Sequence, residues 1–141
     1  MIKEFVDAWD KNKRNLENWF RETPQNEYDS YELLVKKLFE LVINPYLEKN
    51  IFSERDVFNI DKMHIIDDGN YQGTQIFFIH SDVYQPSVGD YVYTNNYYGS
   101  CSGCDTLLGI SMYEEGLPNE QQVKGYMSLC LNLLQECKYL I

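Results

Sequence analysis

Apolar residues recur at helical spacing from the start of the chain. Ile2, Phe5, Val6, Trp9, Leu16, Trp19 and Phe20 fall close to one stripe over residues 2–20, with charges opposite. That is the pattern of an amphipathic helix. Two tryptophans on the stripe suit core packing or a partner groove. Thr23-Pro24-Gln25-Asn26 breaks the helix, because proline removes a backbone donor. A second helix is expected from Asp29 or Ser30, where Asp29 and Glu32 have capping-box spacing. Tyr31, Leu34, Val35, Leu38, Leu41 and Val42 form its apolar stripe. Asn44-Pro45 is expected to end it, since the residue before proline avoids the α region. Pro45 also suits the opening of a further turn through Lys49. Residues 51–60 read as a connection anchored by Phe52, Val57, Phe58 and Ile60.

The period changes at Lys62. Met63-His64-Ile65-Ile66 predicts a strand, Asp67-Asp68-Gly69-Asn70 a turn, and Thr74 to His80 a second strand. Ile76-Phe77-Phe78-Ile79 is a continuous apolar run, which predicts a central strand buried on both faces. A loop from Ser81 to Gly89 leads to a third strand, Asp90 to about Tyr98, with Asn95-Asn96 as a bulge or break. A short helix is expected over 105–113, then an interruption at Gly116-Leu117-Pro118. The last helix should start near Asn119, with Gln122 at capping-box spacing, and run to about Tyr139. Val123, Met127, Cys130, Leu131, Leu134 and Cys137 form its inner stripe. The expected architecture is one α+β domain over residues 1–141: N-terminal helices, a three-stranded antiparallel meander, and C-terminal helices packed on the sheet.

Composition sharpens this. Twelve tyrosines and seven phenylalanines in 141 residues favour a sheet or a surface built for contact. The net charge is −10, and it is unevenly spread. No Lys or Arg lies between Lys62 and Lys124, while Asp67, Asp68, Asp82, Asp90, Asp105, Glu114, Glu115 and Glu120 do. Direct nucleic-acid binding needs positive charge against phosphate, so this region is unsuited to it. A basic protein surface or a cation suits it better; a merely solvated acidic surface is the plain alternative.

The sequence Met1-Ile2-Lys3-Glu4 leads straight into the first helix, with no signal-peptide pattern. No apolar run approaches a membrane span. The expectation is a cytoplasmic protein with reduced thiols and no membrane partner.

Chemistry converges on one stretch, Tyr97-Tyr98-Gly99-Ser100-Cys101-Ser102-Gly103-Cys104-Asp105-Thr106-Leu107. Gly99 and Gly103 allow left-handed backbone at little cost, and Asp105 is placed to cap a helix. Cys101 and Cys104 supply two of the four ligands of a zinc site. His64 and His80, on adjacent strands, are the candidates for the other two. A cysteine just before a helix also favours thiolate chemistry, although the meander lacks the βαβ units of thioredoxin-like folds. Small residues filling a tight turn is the simplest reading. Asp67-Asp68-Gly69-Asn70 lacks the EF-hand spacing and reads as a solvated hairpin turn. Cys130 and Cys137, two helical turns apart, read as core. No nucleophile elbow, phosphate loop or His-Glu-x-x-His occurs.

Tyr98-Gly99-Ser100-Cys101-Ser102-Gly103-Cys104-Asp105-Thr106-Leu107, preceded by Gly69-Asn70-Tyr71-Gln72-Gly73-Thr74, resembles a pattern in uncharacterised small proteins of bacteriophages and bacterial mobile elements. The resemblance covers roughly residues 63–110. That family has no assigned activity, so no catalytic residue carries over. It implies a context in which small acidic proteins block host machinery, including nucleic-acid-binding defence proteins, in the host cytoplasm.

The expected function is therefore a non-enzymatic acidic interaction protein. It would inhibit a basic, nucleic-acid-binding host protein, a nuclease or effector. Asp67, Asp68, Asp82, Asp90, Glu114 and Glu115 would meet the basic groove, with Tyr91, Tyr93, Tyr97 and Tyr98 as aromatic anchors. No cofactor is required by this reading. The alternative is a zinc or thiol-redox protein centred on Cys101 and Cys104. A third is an assembly component, a homodimer through the Trp9–Trp19 face.

Overall fold

The computed structural model of the chain describes residues 1–28, 30–50 and 56–141. Helix α1 spans Lys3–Glu22 and buries Phe5, Ala8, Trp9, Leu16 and Phe20, the stripe expected from the sequence. Helix α2 spans Tyr31–Leu38 and is capped by Ser30, whose side chain accepts from the Leu33 amide. The Asp29 half of the expected capping box and the Phe52 anchor lie outside the described residues.

The chain does not stop at Asn44-Pro45. A π turn over Phe39–Ile43 leads directly into α3, Asn44–Lys49. Pro45 has no amide to offer the Leu41 carbonyl four residues earlier. Helix α1 supplies the missing donors: Asn15 Nδ2 donates to Leu41 O at 3.1 Å, and Asn12 Nδ2 to Val42 O at 3.0 Å. The wider π turn and two asparagines from another helix thus carry the chain past the proline. Asn44 then grips Phe58 through both backbone groups, at 2.9 and 3.0 Å.

Strands β1, His64–Asp67, β2, Gly73–His80, and β3, Tyr91–Tyr98, form the expected antiparallel meander. A fourth strand, β4, Lys138–Tyr139, adds to the far edge of β3. The last helix is shorter than expected for this reason. Helix α5 spans Glu120–Gln135 and opens with the Asn119–Gln122 capping box. It ends at Glu136, and Leu140 N–H donates to Tyr91 O at 3.2 Å. Between the sheet and α5 lies the short helix α4, Thr106–Ser111.

Strand β2 is interior, as expected, but it is buried on one face only. Phe77 and Ile79 are buried with Val92 and Thr94 of β3; Ile76 and Phe78 are half-exposed. Side chains alternate across a strand, so the first set faces the helices. Register aligns Phe77 with Thr94 and Ile79 with Val92, and Thr94 Oγ1 donates to Leu133 O of α5 at 2.8 Å. Asn95-Asn96 neither bulges nor breaks β3, since pairing with β2 runs unbroken from Tyr91 to Tyr98.

One core joins the helices to that face. It holds two aromatic groups: Phe5, Phe39 and Phe58, edge-to-face with ring centroids 5.2–5.8 Å apart, and Phe20, Tyr28 and Tyr126, at 5.0–5.3 Å, in which Tyr28 stands edge-on to both others and Phe20 stacks on Tyr126. Trp9 is buried in the same core, and Trp19 packs on Phe20 and Tyr28. Trp9 is thus spent on core packing, while Trp19 is half-buried. Cys130 and Cys137 are buried as expected.

The one-sided sheet makes a direct prediction. Phe77→Ala should cost about 3–5 kcal/mol in urea unfolding, as for large core aromatics. Tyr97→Ala, 52% exposed on the opposite face, should stay within about 1 kcal/mol.

Candidate functional site

The glycine–cysteine turn is built on Asp105. This carboxylate is 93% covered, at 7% exposure, and a buried charge is stable only when hydrogen-bonded. Three donors supply that. Leu108 N–H donates to Oδ1 at 3.1 Å, as in a helix cap; Tyr31 O–H donates to the same oxygen at 2.8 Å; Gly99 N–H donates to Oδ2 at 2.9 Å. The Tyr31 hydroxyl also accepts from Leu107 N–H at 3.0 Å. Burial first, and Asp105 beside it, push the Tyr31 phenol well above its ordinary pKa, with the Leu107 amide opposing. A cleft of about 240 Å³ lies above this hub, between Ser30, Gln75, Tyr98 and Leu108.

Gly99 is required for a different reason from the one expected. No glycine in the described residues has positive φ. A Cβ on Gly99 would instead lie 2.5 Å from the Cys104 carbonyl oxygen, so only glycine lets the chain fold back. Gly103 has no such neighbour, its nearest being Cys101 Sγ at 4.0 Å. Positive φ occurs at Met112 (51°) and Tyr113 (60°), just past α4. Two successive left-handed residues with side chains are strained, by about 1–2 kcal/mol each. The strain turns Tyr113 back on the turn, where its hydroxyl accepts from Ser102 N–H at 3.1 Å.

Both turn thiols are exposed, with sulfurs 2.8 Å apart. Cys101 N–H points at Cys104 Sγ at 3.1 Å. The Cys101 thiol first, and then backbone donors, hold the Cys104 pKa below the ordinary thiol value. The helix dipole is not the cause: α4 has six residues, and the Asp105 carboxylate stands between it and Cys104. Burial pushes the Cys137 thiol up to about 12 and the Cys130 thiol higher still.

The histidines do not join the cysteines. His80 pairs with Tyr91 at one end of β3, whereas the cysteine turn follows Tyr98 at the other. Seven strand steps separate the two ends, roughly 23 Å. His64 lies toward the His80 end, opposite Phe78. His80 Nδ1 is within 2.7 Å of Ser81 O, and its ring lies edge-on to Tyr91. Among the described residues no three His, Cys, Asp or Glu side chains converge on one point.

The expected acidic surface divides into three places. Asp67 and Asp68 hold the β1–β2 hairpin, beside the cysteine turn. Asp67 accepts from Tyr98 O–H at 2.6 Å, Gly69 N–H at 2.9 Å and Gln75 Nε2 at 3.2 Å; Asp68 accepts from Thr74 N–H at 2.6 Å. Asp82 and Asp90 lie at the opposite end of the sheet, with Asp90 in a capping box with Ser87. Glu114 and Glu115 sit in the α4–α5 connection, against Gln122 and Asn26. Tyr91, Tyr93 and Tyr97 share the outer sheet face, while Tyr98 alternates to the helix side. Sequence reasoning missed Tyr31 and Tyr113, whose contacts with the turn depend on folding. No family of known proteins, no curated protein and no solved structure matches the chain.

Two outcomes test this site. Asp105→Asn leaves an amide facing the Gly99 N–H and should cost about 2–3 kcal/mol. A Tyr31→Phe, Asp105→Asn cycle should be non-additive by at least about 0.5 kcal/mol, read by urea unfolding. At the hairpin, hydrogen bonds from Tyr98, Gly69 and Gln75 hold the Asp67 carboxyl below the usual range. Its contribution is present above the unfolded carboxylate pKa and is lost as pH falls through the lowered folded value. The Gly69 amide resonance should therefore titrate below pH about 4, and this titration should move up toward the ordinary range in Tyr98→Phe, which removes the largest of the three contributions.

Proposed function

We propose that the protein is a non-enzymatic interaction module that docks a basic, nucleic-acid-binding protein and blocks it. The observation that carries this reading is the outer face of the sheet. Ile66, Ile76, Phe78, Tyr91, Tyr93 and Tyr97 stand on it, exposed or half-exposed. A contiguous apolar and aromatic face is the ordinary anatomy of a binding surface.

Charge selects the partner. From Met63 to Val123 the chain holds no Lys or Arg, so the meander, its loops and α4 are free of them; β4 brings one lysine to the outer face, Lys138, opposite Tyr93. Asp68 borders the face at one end and Asp82 at the other. Arginine and lysine side chains of a partner would find tyrosine rings to stack on and carboxylates at the rim. A surface rich in both groups is what a nucleic-acid-binding groove presents. The inhibitory role and the bacteriophage setting rest on the motif resemblance alone.

The test is capture from a bacterial lysate on the immobilised protein, with Tyr93→Ala, Tyr97→Ala and Asp82→Lys variants checked for wild-type folding by circular dichroism. The expected captive is a basic nucleic-acid-binding protein, released by rising salt and by competing double-stranded DNA, and lost by the variants. Retention in high salt, or unchanged capture by all variants, would overturn the reading.

A further inference from the structure

The geometry points to a second property of the molecule: Cys101 and Cys104 form an accessible dithiol that exchanges with disulfides, with Cys104 as the attacking sulfur and Cys101 as the resolving one. This rests on the cysteine turn and is independent of the outer sheet face. Three observations support it. Both cysteines are exposed residues at the surface of the turn, which opens them to a disulfide substrate. They already lie 2.8 Å apart, and a disulfide needs about 2.0 Å, so closure moves them by under about 1 Å. Cys104 Sγ also receives the Cys101 N–H at 3.1 Å, a donor that remains in place when the sulfur carries negative charge.

The exchange balances with a disulfide as oxidant. Cys104, as thiolate, bonds to one sulfur of the incoming disulfide; the old sulfur–sulfur bond breaks, and the far sulfur leaves as a thiolate. Cys101 then loses its proton to solvent and bonds to Cys104 Sγ, expelling the second thiolate. Two protein thiols are oxidised to one disulfide, and one substrate disulfide is reduced to two thiols. Low thiol pKa and exposure together mark such cysteines, and Cys104 has both. Cys130 and Cys137 are buried and take no part.

The surroundings favour a contained change. Asp105 fixes Gly99 on one side of the turn, and Tyr113 holds the Ser102 amide on the other. The loop that closes is thus pinned at its start and at its middle.

The experiment treats the native, fully reduced chain with the aromatic disulfide 5,5′-dithiobis(2-nitrobenzoate) and follows released thiolate together with intact mass. The expected result is two thiolates released per chain, loss of the mass of two hydrogens, and no stable adduct. Cys101→Ser should release one thiolate and retain one adduct on Cys104. Cys104→Ser should react several-fold more slowly than Cys101→Ser. Stable adducts on the wild-type protein, unreactive thiols, or equal rates for the two variants would overturn the assignment. Even if a serine variant fails to fold, the wild-type stoichiometry and mass decide the dithiol exchange, and mapping the single adduct trapped at substoichiometric reagent decides which sulfur attacks: on Cys104 it supports the assignment, on Cys101 it overturns it.

Discussion

The buried Asp105 carboxylate is the constraint on which the rest of this structure turns. Its two oxygens receive a helix-cap amide, a turn amide and a phenol. The phenol, Tyr31, belongs to the N-terminal helical layer, 74 residues away. One side chain therefore fixes where β3 ends, where α4 begins and how both meet α2. Removing a single donor would leave a covered carboxylate short of one of its three partners, and that makes the hub expensive to disturb. The cysteine turn inherits its order from this arrangement, because Gly99 and Asp105 bracket it.

A second constraint is that the helices cover one face of the sheet. Phe77, Ile79 and Val92 spend their apolar surface against that layer. The same pleat places Phe78, Tyr91, Tyr93 and Tyr97 opposite. A four-stranded antiparallel sheet tolerates an open face, but polar residues usually occupy it. Here Phe78 and three tyrosines share it with His64, Thr74, Asn95 and Lys138.

Local signals were read well where the chemistry is local. The stripe from Ile2 to Phe20, the Asn119–Gln122 capping box and the Asp105 cap are all visible in short windows. The further turn from Pro45 through Lys49 is present as expected; the expected stop before it is not, because the lost hydrogen bonds are replaced by Asn12 and Asn15, on a different helix. Strand β4 was hidden for two reasons: it has two residues, and Cys137 keeps the helical spacing of the preceding stripe while already lying beyond α5. Gly99 was legible as a required glycine, but the need is room beside Cys104, not left-handed backbone. Asp67 and Asp82 fall at opposite ends of the sheet because strand length, not sequence proximity, sets their separation. His64 and His80 were kept from the cysteines by the same strand length.

The strain at Met112 and Tyr113 completes the picture of the turn. Two left-handed residues with side chains persist only where their surroundings over-determine them. Met112 N–H donates to Leu108 O at 2.8 Å and closes α4. Tyr113 then reaches the Ser102 amide, which lies between the two cysteines. A glycine at 113 would relieve the backbone but lose that reach. The left-handed backbone and the Tyr113 contact occur together, and what that contact holds is the backbone between Cys101 and Cys104. Packing alone would not need a hydroxyl there, since an exposed amide is satisfied by water. A turn whose middle amide is held by a strained tyrosine, and whose flank is held by a buried carboxylate, is one whose two sulfurs keep a fixed relation while remaining open to solvent.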